Sequence, residues 1–171
     1  MIVNGRKLVL EQPLTPLRDV KLKAHGVSYG LSEAGYDIRI KQSITLHPLR
    51  RFRLASTVER FEMPYDCVAI VHDKSTWARR GLSVFNTVIE PGWQGWLTLE
   101  LIYHGWGVLR IPAGAGIAQV LFHRLEERAH APCAHCRHGQ RGRRAAGDGH
   151  WPRARHAEGA GARRPDARPD G

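Results

Sequence analysis

Glu100 lies in a segment whose apolar and polar residues alternate as they do in a half-buried strand. In the run WLTLEL, residues 96–101, the alternation places Trp96, Thr98 and Glu100 on one face and the three leucines on the other. A carboxylate on the open face of a strand can take a proton from water and pass it to a bound substrate. A glutamate that only faces solvent would show the same pattern, so the spacing leaves both interpretations open.

Ser75 and Arg79 are four residues apart in a short segment that ends at Gly81. If this segment is helical, the hydroxyl and the guanidinium lie on one face of a single turn. A hydroxyl can hydrogen-bond a water molecule or an oxyanion, and a guanidinium binds carboxylates and phosphates. A capped surface helix with ordinary charges is the other interpretation of this spacing.

The elements that would carry these side chains are mostly strands. Short alternating or apolar runs are separated by Gly and Pro turn signals, which favours a β-barrel or jelly roll. A short internal helix is predicted at residues 75–80, with Asp73 or Ser75 near its start, and Asn4 is positioned to cap a helix at residues 5–11 that ends before Pro13. Strands are predicted at residues 57–63, 67–71, 82–89, 96–103, 108–111 and 117–122.

The composition changes sharply near Glu127. Residues 1–127 hold 16 Lys and Arg against 12 acids, whereas residues 128–171 hold 10 Arg against 4 acids and have no Ile, Leu, Val, Phe, Tyr or Met. Such a tail has almost nothing to bury, so we expect a folded domain at 1–127 and a disordered tail at 128–171. Our hypothesis is that the tail reflects a shifted reading frame of GC-rich DNA; a nucleic-acid-binding tail is the alternative.

Two short patterns in the tail match halves of the zinc deaminase signature. Cys133 and Cys136 form a P-C-x-x-C run, and His156 with Glu158 forms an H-x-E run. Their order is reversed relative to that signature, and the segment lacks apolar residues to build a zinc-binding core. We therefore expect no zinc site. The chain also has no long apolar run and no secretory leader pattern, so we expect a cytoplasmic protein without a membrane span.

Three short blocks follow one another along the chain: AGYDIR at residues 34–39, KSTWAR at 74–79, and VIEPGWQG at 88–95 continuing into LEL at 99–101. Taken together, they resemble the dCTP deaminases, which belong to the trimeric dUTPase-like superfamily. The resemblance predicts a dUTPase-like distorted β-barrel or jelly roll that hydrolyses dCTP to dUTP and ammonia. The alternatives are a dUTP diphosphatase, a bifunctional enzyme and a catalytically inactive nucleotide-binding regulator.

The resemblance also implies roles for individual residues. Glu100 would be the general base, Ser75 would hydrogen-bond the attacking water or the oxyanion, and Arg79 would hold the Glu100 carboxylate. Asp37 and Arg39 are expected to stabilise the fold and subunit contacts. The residues expected to bind substrate are Lys74 and Thr76 at the triphosphate, Asn86, Thr87 and Val88 at the pyrimidine edge, Glu90 near the sugar and Gln119 at phosphate.

Glu90 stands where relatives usually have an aspartate, and that carboxylate position is the one that dUTPases use to activate water. The resemblance further implies Mg²⁺ bound with the triphosphate rather than in a cage of protein ligands. The expected partners are the nucleotide, dCTP or dUTP, and two further copies of the chain, with each site between subunits. No specific nucleic-acid partner is expected.

Overall fold

The chain is built almost entirely of β-strands joined by short turns. The structure, a computed structural model, describes residues 1–130, and within them are thirteen strands and two short helices. This confirms the mainly β expectation, while most of the expected disordered tail, including Cys133, Cys136, His156 and Glu158, lies outside the described residues. In chain order the elements are β1 (Ile2–Val3), α1 (Gly5–Glu11), β2 (Leu14–Thr15), β3 (Lys21–Ala24), β4 (Val27–Leu31), β5 (Tyr36–Arg39), β6 (Ile44–Leu46), β7 (Phe52–Glu62), β8 (Cys67–Asp73), α2 (Ser75–Ala78), β9 (Leu82–Val84), β10 (Val88–Ile89), β11 (Gln94–Tyr103), β12 (Leu109–Ile111) and β13 (Gly116–Arg124).

The described strands form three sheets, and every pairing within them is antiparallel. The largest has the order β10-β8-β13-β5-β4-β3, with β1 also paired to β13. A second sheet has the order β2-β7-β11-β9, and β12 pairs with β6 to form the third. Helix α2, which lies in the KSTWAR block, therefore connects β8 of the first sheet to β9 of the second sheet.

A single hydrophobic core holds the two larger sheets and both helices together. Phe61 of β7 and Phe122 of β13 are completely buried, and Leu8 of α1 and Trp77 of α2 join them. Complete burial of an aliphatic or phenyl side chain stabilises the folded state by about 1.5–3 kcal/mol. Since helices as short as α1 and α2 are not stable alone, these buried side chains fix their positions.

The prediction of one continuous strand at residues 82–89 is wrong. The segment is split into β9, which pairs with β11, and β10, which pairs with β8 in the other sheet. Residues 85–87 cross between the two sheets, and their backbone bonds show the change of partner. The Phe85 N–H donates to the Glu100 carbonyl at 3.0 Å, and the Thr87 carbonyl accepts from the Val71 N–H at 3.0 Å.

Both predicted helices are present, but their ends differ from the expected caps. Helix α1 covers residues 5–11 as predicted, yet the Asn4 side chain does not cap it and donates to the Glu33 carbonyl at 2.7 Å. Helix α2 ends at Ala78 rather than Arg80, and its N-cap residue is Lys74. Asp73 accepts from the Val84 N–H instead, at 2.6 Å. Neither helix in the described range is long and apolar enough to cross a membrane.

Cys67 is expected to resist thiol reagents while the protein is folded. It lies at the buried start of β8, and burial raises the pKa of its thiol to about 11. Only the thiolate reacts, so the reactive fraction at pH 8 is very small and also out of reach. Alkylation followed by peptide mass spectrometry should leave Cys67 unmodified in buffer and modify it in denaturant. Rapid labelling of Cys67 in the native protein would contradict this burial.

Candidate active site

Strand β11 presents Glu100 on the open face of the second sheet. Exposed and buried residues alternate along the strand from Trp96 to Leu101, which confirms the predicted division of faces. Glu100 is directly opposite Leu54 of β7. On its other side it is opposite Phe85, whose N–H bonds the Glu100 carbonyl. The carboxylate is thus flanked on both sides by apolar side chains that are about half exposed, 45% for Leu54 and 47% for Phe85.

Helix α2 turns Ser75 and Arg79 toward the outside and Trp77 toward the core. Ser75 and Arg79 are exposed, while Trp77 is buried and donates from Nε1 to the Gly116 carbonyl oxygen at 2.6 Å. The Arg79 N–H donates to the Ser75 carbonyl at 3.1 Å, so both residues belong to one turn. The predicted shared face is therefore present, although Arg79 is the C-cap of the helix and not an interior residue.

Lys74 immediately precedes this helix, and its side chain is buried. Its ammonium binds Asp37 Oδ2 on β5 at 2.5 Å, and Ser28 Oγ donates to the same oxygen at 3.3 Å. Only 9% of the Lys74 side chain and 3% of the Asp37 side chain are exposed. The cation expected at the triphosphate is therefore held by a carboxylate inside the protein. Thr76, the other residue expected there, is half-buried on α2.

The segment expected at the pyrimidine edge lies at the crossing between the two sheets. Asn86 and Val88 are exposed and Thr87 is half-buried, so the segment is open to a ligand. Glu90, also exposed, follows β10, and its carbonyl accepts the Trp93 N–H at 3.1 Å to close the turn. Glycine is needed in this turn because Gly92 has a φ of +73° and an added Cβ would lie 2.9 Å from the Tyr65 ring.

Gln119 lies on β13, directly opposite Asp37 of β5. Its amide Nε2 donates to Ser32 Oγ at 3.0 Å, and its side chain is half-buried. Strand β13 thus places Gln119 beside β5, the strand that carries Asp37, the ion-pair partner of Lys74. The residues expected at the phosphates therefore cluster around β5, β13 and the start of α2.

The structure divides the predicted catalytic residues between two places. Glu100 lies on the face of the second sheet, whereas Ser75 lies on α2 and Arg79 at its C-cap, in the segment between β8 and β9. Within residues 1–130, no ion pair involves Arg79 or Glu100. The expected contact between Arg79 and the Glu100 carboxylate is consequently not made within one chain.

Comparisons with known proteins agree with this arrangement of motifs. A family model described as dCTP deaminase-like matches residues 22–125, a range that contains all three motif blocks. The chain belongs to this family. It is 37% identical over 144 residues to a dCTP deaminase of Sulfurovum sp. (strain NBC37-1), covering 68% of this chain and 77% of that one. It is 34% identical over 152 residues to a dCTP deaminase of Campylobacter jejuni (strain 81116), covering 72% of this chain and 82% of the relative.

Solved structures show the same fold at lower sequence identity. A mutant dUTPase from phage phi11 of S. aureus, described with a structural Mg(II) ion, matches with a TM-score of 0.53 at 15% identity. That match covers 71% of this chain and 95% of the phage protein. Native EIAV dUTPase matches with a TM-score of 0.50 at 19% identity, over 60% of this chain and 84% of that one. The dUTPase-like fold expected from the sequence is confirmed.

A second buried ion pair joins Arg39, in the first motif block of this deaminase-like chain, to Glu59. Arg39 donates from Nε to Glu59 Oε1 at 2.8 Å and from its backbone N–H to Oε2 at 2.9 Å. Burial raises the pKa of the Glu59 carboxyl, and the hydrogen bonds from Arg39 act in the opposite direction. Both carboxylate oxygens are occupied by Arg39, so this pair connects β5 to β7 and takes no part in the open face around Glu100.

Sequence reasoning missed two features of the deaminase-like site. Leu54 and Phe85 flank Glu100 although they are 46 and 15 residues away in the sequence, and no local pattern connects them to the carboxylate. The Asp37–Lys74 pair joins the first and second motif blocks. The residues next to Lys74 in the sequence did not indicate that its side chain would be buried.

Proposed function

We infer that this protein deaminates dCTP, converting dCTP and water to dUTP and ammonia. Family membership over residues 22–125 and relatives named dCTP deaminase support this inference. The observation that carries it is the exposed carboxylate of Glu100 on β11, in the block that resembles the deaminases. A proton shuttle in this position supplies the chemistry that hydrolytic deamination needs.

In the proposed mechanism Glu100 removes a proton from a water molecule as its oxygen attacks C4 of cytosine. Glu100 passes this proton to N3 and then carries the proton of the new C4 hydroxyl to N4, so that the C4–N4 bond breaks as the C4 carbonyl forms and ammonia leaves. Ser75 hydrogen-bonds the water or the oxyanion, and Arg79 holds the Glu100 carboxylate in position. These side chains are in position before the reaction begins and stabilise the tetrahedral intermediate.

For the substrate we propose contacts along the open edges described above. The backbone of Asn86, Thr87 and Val88 would read the pyrimidine edge, since residues 85–87 leave both sheets there. Glu90 would lie near the deoxyribose. Thr76 and Gln119 would meet the triphosphate, and the resemblance also assigns Lys74 to it.

We propose that the active form is a homotrimer whose sites lie between subunits. The face around Glu100 supports this, because Phe52, Leu54 and Phe85 are exposed on it, at 51%, 45% and 47%. Exposed apolar side chains grouped on one face are typical of protein contacts. A neighbouring chain on this face would also supply the Ser75 and Arg79 that Glu100 lacks within its own chain. Light scattering after gel filtration should give about three times the 19.2 kDa chain mass.

We propose that Mg²⁺ accompanies the triphosphate and that zinc takes no part. Among the described residues no three His, Cys, Asp or Glu side chains converge as a metal site would need. A magnesium ion coordinated by phosphate oxygens and water molecules does not need such a cluster of protein ligands. When bound, it would neutralise phosphate charge, and every proton transfer would still be made by side chains.

Metal removal should therefore separate binding from chemistry. A zinc-selective chelator is expected to leave the rate of ammonia release unchanged. Removal of Mg²⁺ should raise KM for dCTP, because the triphosphate then carries uncompensated charge into the site. Metal analysis by mass spectrometry, done alongside the kinetics, checks the interpretation. Stoichiometric zinc that is lost together with activity would contradict it.

Separate assays for ammonia and pyrophosphate test the proposed function against its main alternative. Ammonia without pyrophosphate from dCTP indicates a deaminase. Pyrophosphate from dUTP without ammonia from dCTP indicates a diphosphatase, and the exposed Glu90 carboxylate is the observation that favours this second candidate. Both products from dCTP indicate a bifunctional enzyme. Nucleotide binding with neither product would leave the inactive regulator.

A further inference from the structure

The pairing of β7 with β11 is interrupted by a β-bulge in β7. Before the bulge Trp96 is opposite Arg60, and after it Thr98 is opposite Ser56. Residues 57–59 of β7 therefore face a single residue of β11 between these two pairs. The bulge adds an even number of residues to β7, three against one, so buried and open positions keep alternating in step along both strands.

The Thr57 side chain provides the hydrogen bonds that the strand pairing loses at the bulge. Its Oγ1 accepts the Leu97 N–H at 3.0 Å and donates to the Glu59 carbonyl oxygen at 2.7 Å. Thr57 and Glu59 are completely buried, and Leu97 is 6% exposed, so both bonds are shielded from solvent. Since a buried backbone group without a partner is strongly unfavourable, one hydroxyl stabilises the bulge by satisfying a donor and an acceptor together.

The other edge of β7 is attached to the chain around β5. Both carboxylate oxygens of Glu59, in the bulge, are bound by Arg39 of β5. The N–H of Lys41, two residues beyond β5, donates to the Ser56 carbonyl at 2.8 Å, at the end of the bulge. The extra residues are thus held from both edges of β7, and the Thr57 hydroxyl is the contact on the side of β11.

The bulge determines which residue of β7 lies opposite Glu100. Beyond the bulge, Glu100 is opposite Leu54. If β11 kept the register that pairs Trp96 with Arg60, Glu100 would instead be opposite Ser56. That position is about 7 Å farther along β7, because each strand residue rises about 3.3 Å. The carboxylate would still be on the open face, but displaced along it.

We propose that Thr57 is a positioning residue for Glu100, because its hydroxyl holds the bulge and with it the register of the part of β11 that carries the carboxylate. This inference rests on the proposed deaminase function, and it adds a residue outside the three motif blocks. Thr57 is completely buried, whereas Glu100 is exposed, so Thr57 acts through the backbone and not by touching the substrate. Bulges are frequent next to active sites, where they direct a side chain.

The test compares kcat and KM in Thr57→Val and Thr57→Ser. Valine keeps the branched shape and removes the hydroxyl, so the Leu97 N–H and the Glu59 carbonyl lose their partner. Since a displacement of about 1 Å in a catalytic group lowers the rate by about 10²-fold, kcat should fall by at least about that much. KM for dCTP should change by less than about threefold, because the proposed substrate contacts lie elsewhere. Serine retains the hydroxyl and should keep kcat within about threefold of wild type.

Two controls separate this role from a general loss of structure. Thr45→Val makes the same change at an exposed threonine of β6 and should leave kcat and KM unchanged. In a Glu100→Gln background, Thr57→Val should lower kcat no further, since the contribution of the carboxylate is already lost. A further large decrease in that background would overturn the proposal. An equal decrease in Thr57→Ser, or an effect confined to KM, would overturn it as well.

NMR spectroscopy provides a readout that needs no activity. In Thr57→Val the Leu97 amide should exchange its hydrogen faster than in wild type, and the cross-strand nuclear Overhauser contact between Glu100 and Leu54 should weaken. Thr57→Ser should resemble wild type in both measurements. If Thr57→Val fails to fold, Thr57→Cys, whose thiol is only a weak donor and acceptor, should fold with kcat reduced by more than about tenfold.

These measurements also distinguish the positioning role from the function on which it rests. A folded Thr57→Val with faster exchange at Leu97 and kcat within about threefold of wild type would indicate a purely structural bulge and overturn the proposal. An unchanged contact between Glu100 and Leu54 in that variant would overturn it too. If both NMR changes occur and wild type releases no ammonia from dCTP, the register role stands and the deaminase function alone is contradicted.

Discussion

Replacing Glu100 by Gln is expected to remove ammonia release from dCTP while leaving nucleotide binding within about tenfold of wild type. A proton shuttle typically contributes about 10²–10⁴ to the rate, and the amide cannot take a proton from water. The substitution keeps the size of the side chain on the open face of β11, so neither the strand nor the substrate contacts should change. Single-turnover assays of ammonia, with calorimetric titration of dCTP, measure the two effects separately.

The matched control for this experiment is Glu126→Gln, an equally conservative change at an exposed glutamate after the last strand. It should leave the rate of ammonia release unchanged. Deamination by Glu100→Gln at nearly the wild-type rate would eliminate the proposed mechanism. Loss of binding together with the rate would show instead that Glu100 anchors the substrate.

Mixing two inactive variants is expected to restore activity. Ser75→Ala should lose about 10²–10³ in rate, as the loss of an oxyanion donor does, and Glu100→Gln should lose at least as much. If each site combines Glu100 of one chain with α2 of another, random mixed trimers contain intact sites. With equal amounts of the two chains about one quarter of all sites are intact. In mixed trimers separated from both parent trimers about one site in three is intact, so their activity should approach about a third of wild type.

The structural reason is that no ion pair involves Arg79 or Glu100 anywhere in residues 1–130. Co-expression with two different affinity tags, followed by sequential purification, isolates the mixed assemblies. The control mixes Ser75→Ala with Arg79→Ala. Both changes are on α2, so every site receives one altered helix and no activity returns. If the first mixture also stays inactive although mixed trimers form, the site lies within one chain.

Some features of this protein follow from the sequence because they depend on local periodicity. The alternation in residues 96–101 has a period of two residues, and any antiparallel strand with one buried face places Glu100 opposite the leucines. The limits of α1 were likewise predicted, since Asn4 precedes it and Pro13 follows, although the Asn4 side chain does not make the expected cap. The three motif blocks indicated the family because their residues and order are readable without knowing any contact.

The tertiary structure alone decided where residues distant in sequence meet. Residues 82–89 are mostly apolar and could form a single strand, but their partners β11 and β8 lie in different sheets and divide the segment. A lysine beside Ser75 looks like a surface cation from its sequence neighbours. Its burial depends on Asp37, which β5 brings within 2.5 Å. Whether a charge faces solvent or a buried partner is set by the pairing of strands far apart in the chain. For this reason the sequence determined which residues are available for catalysis, and the fold determined how Lys74 and α2 are held.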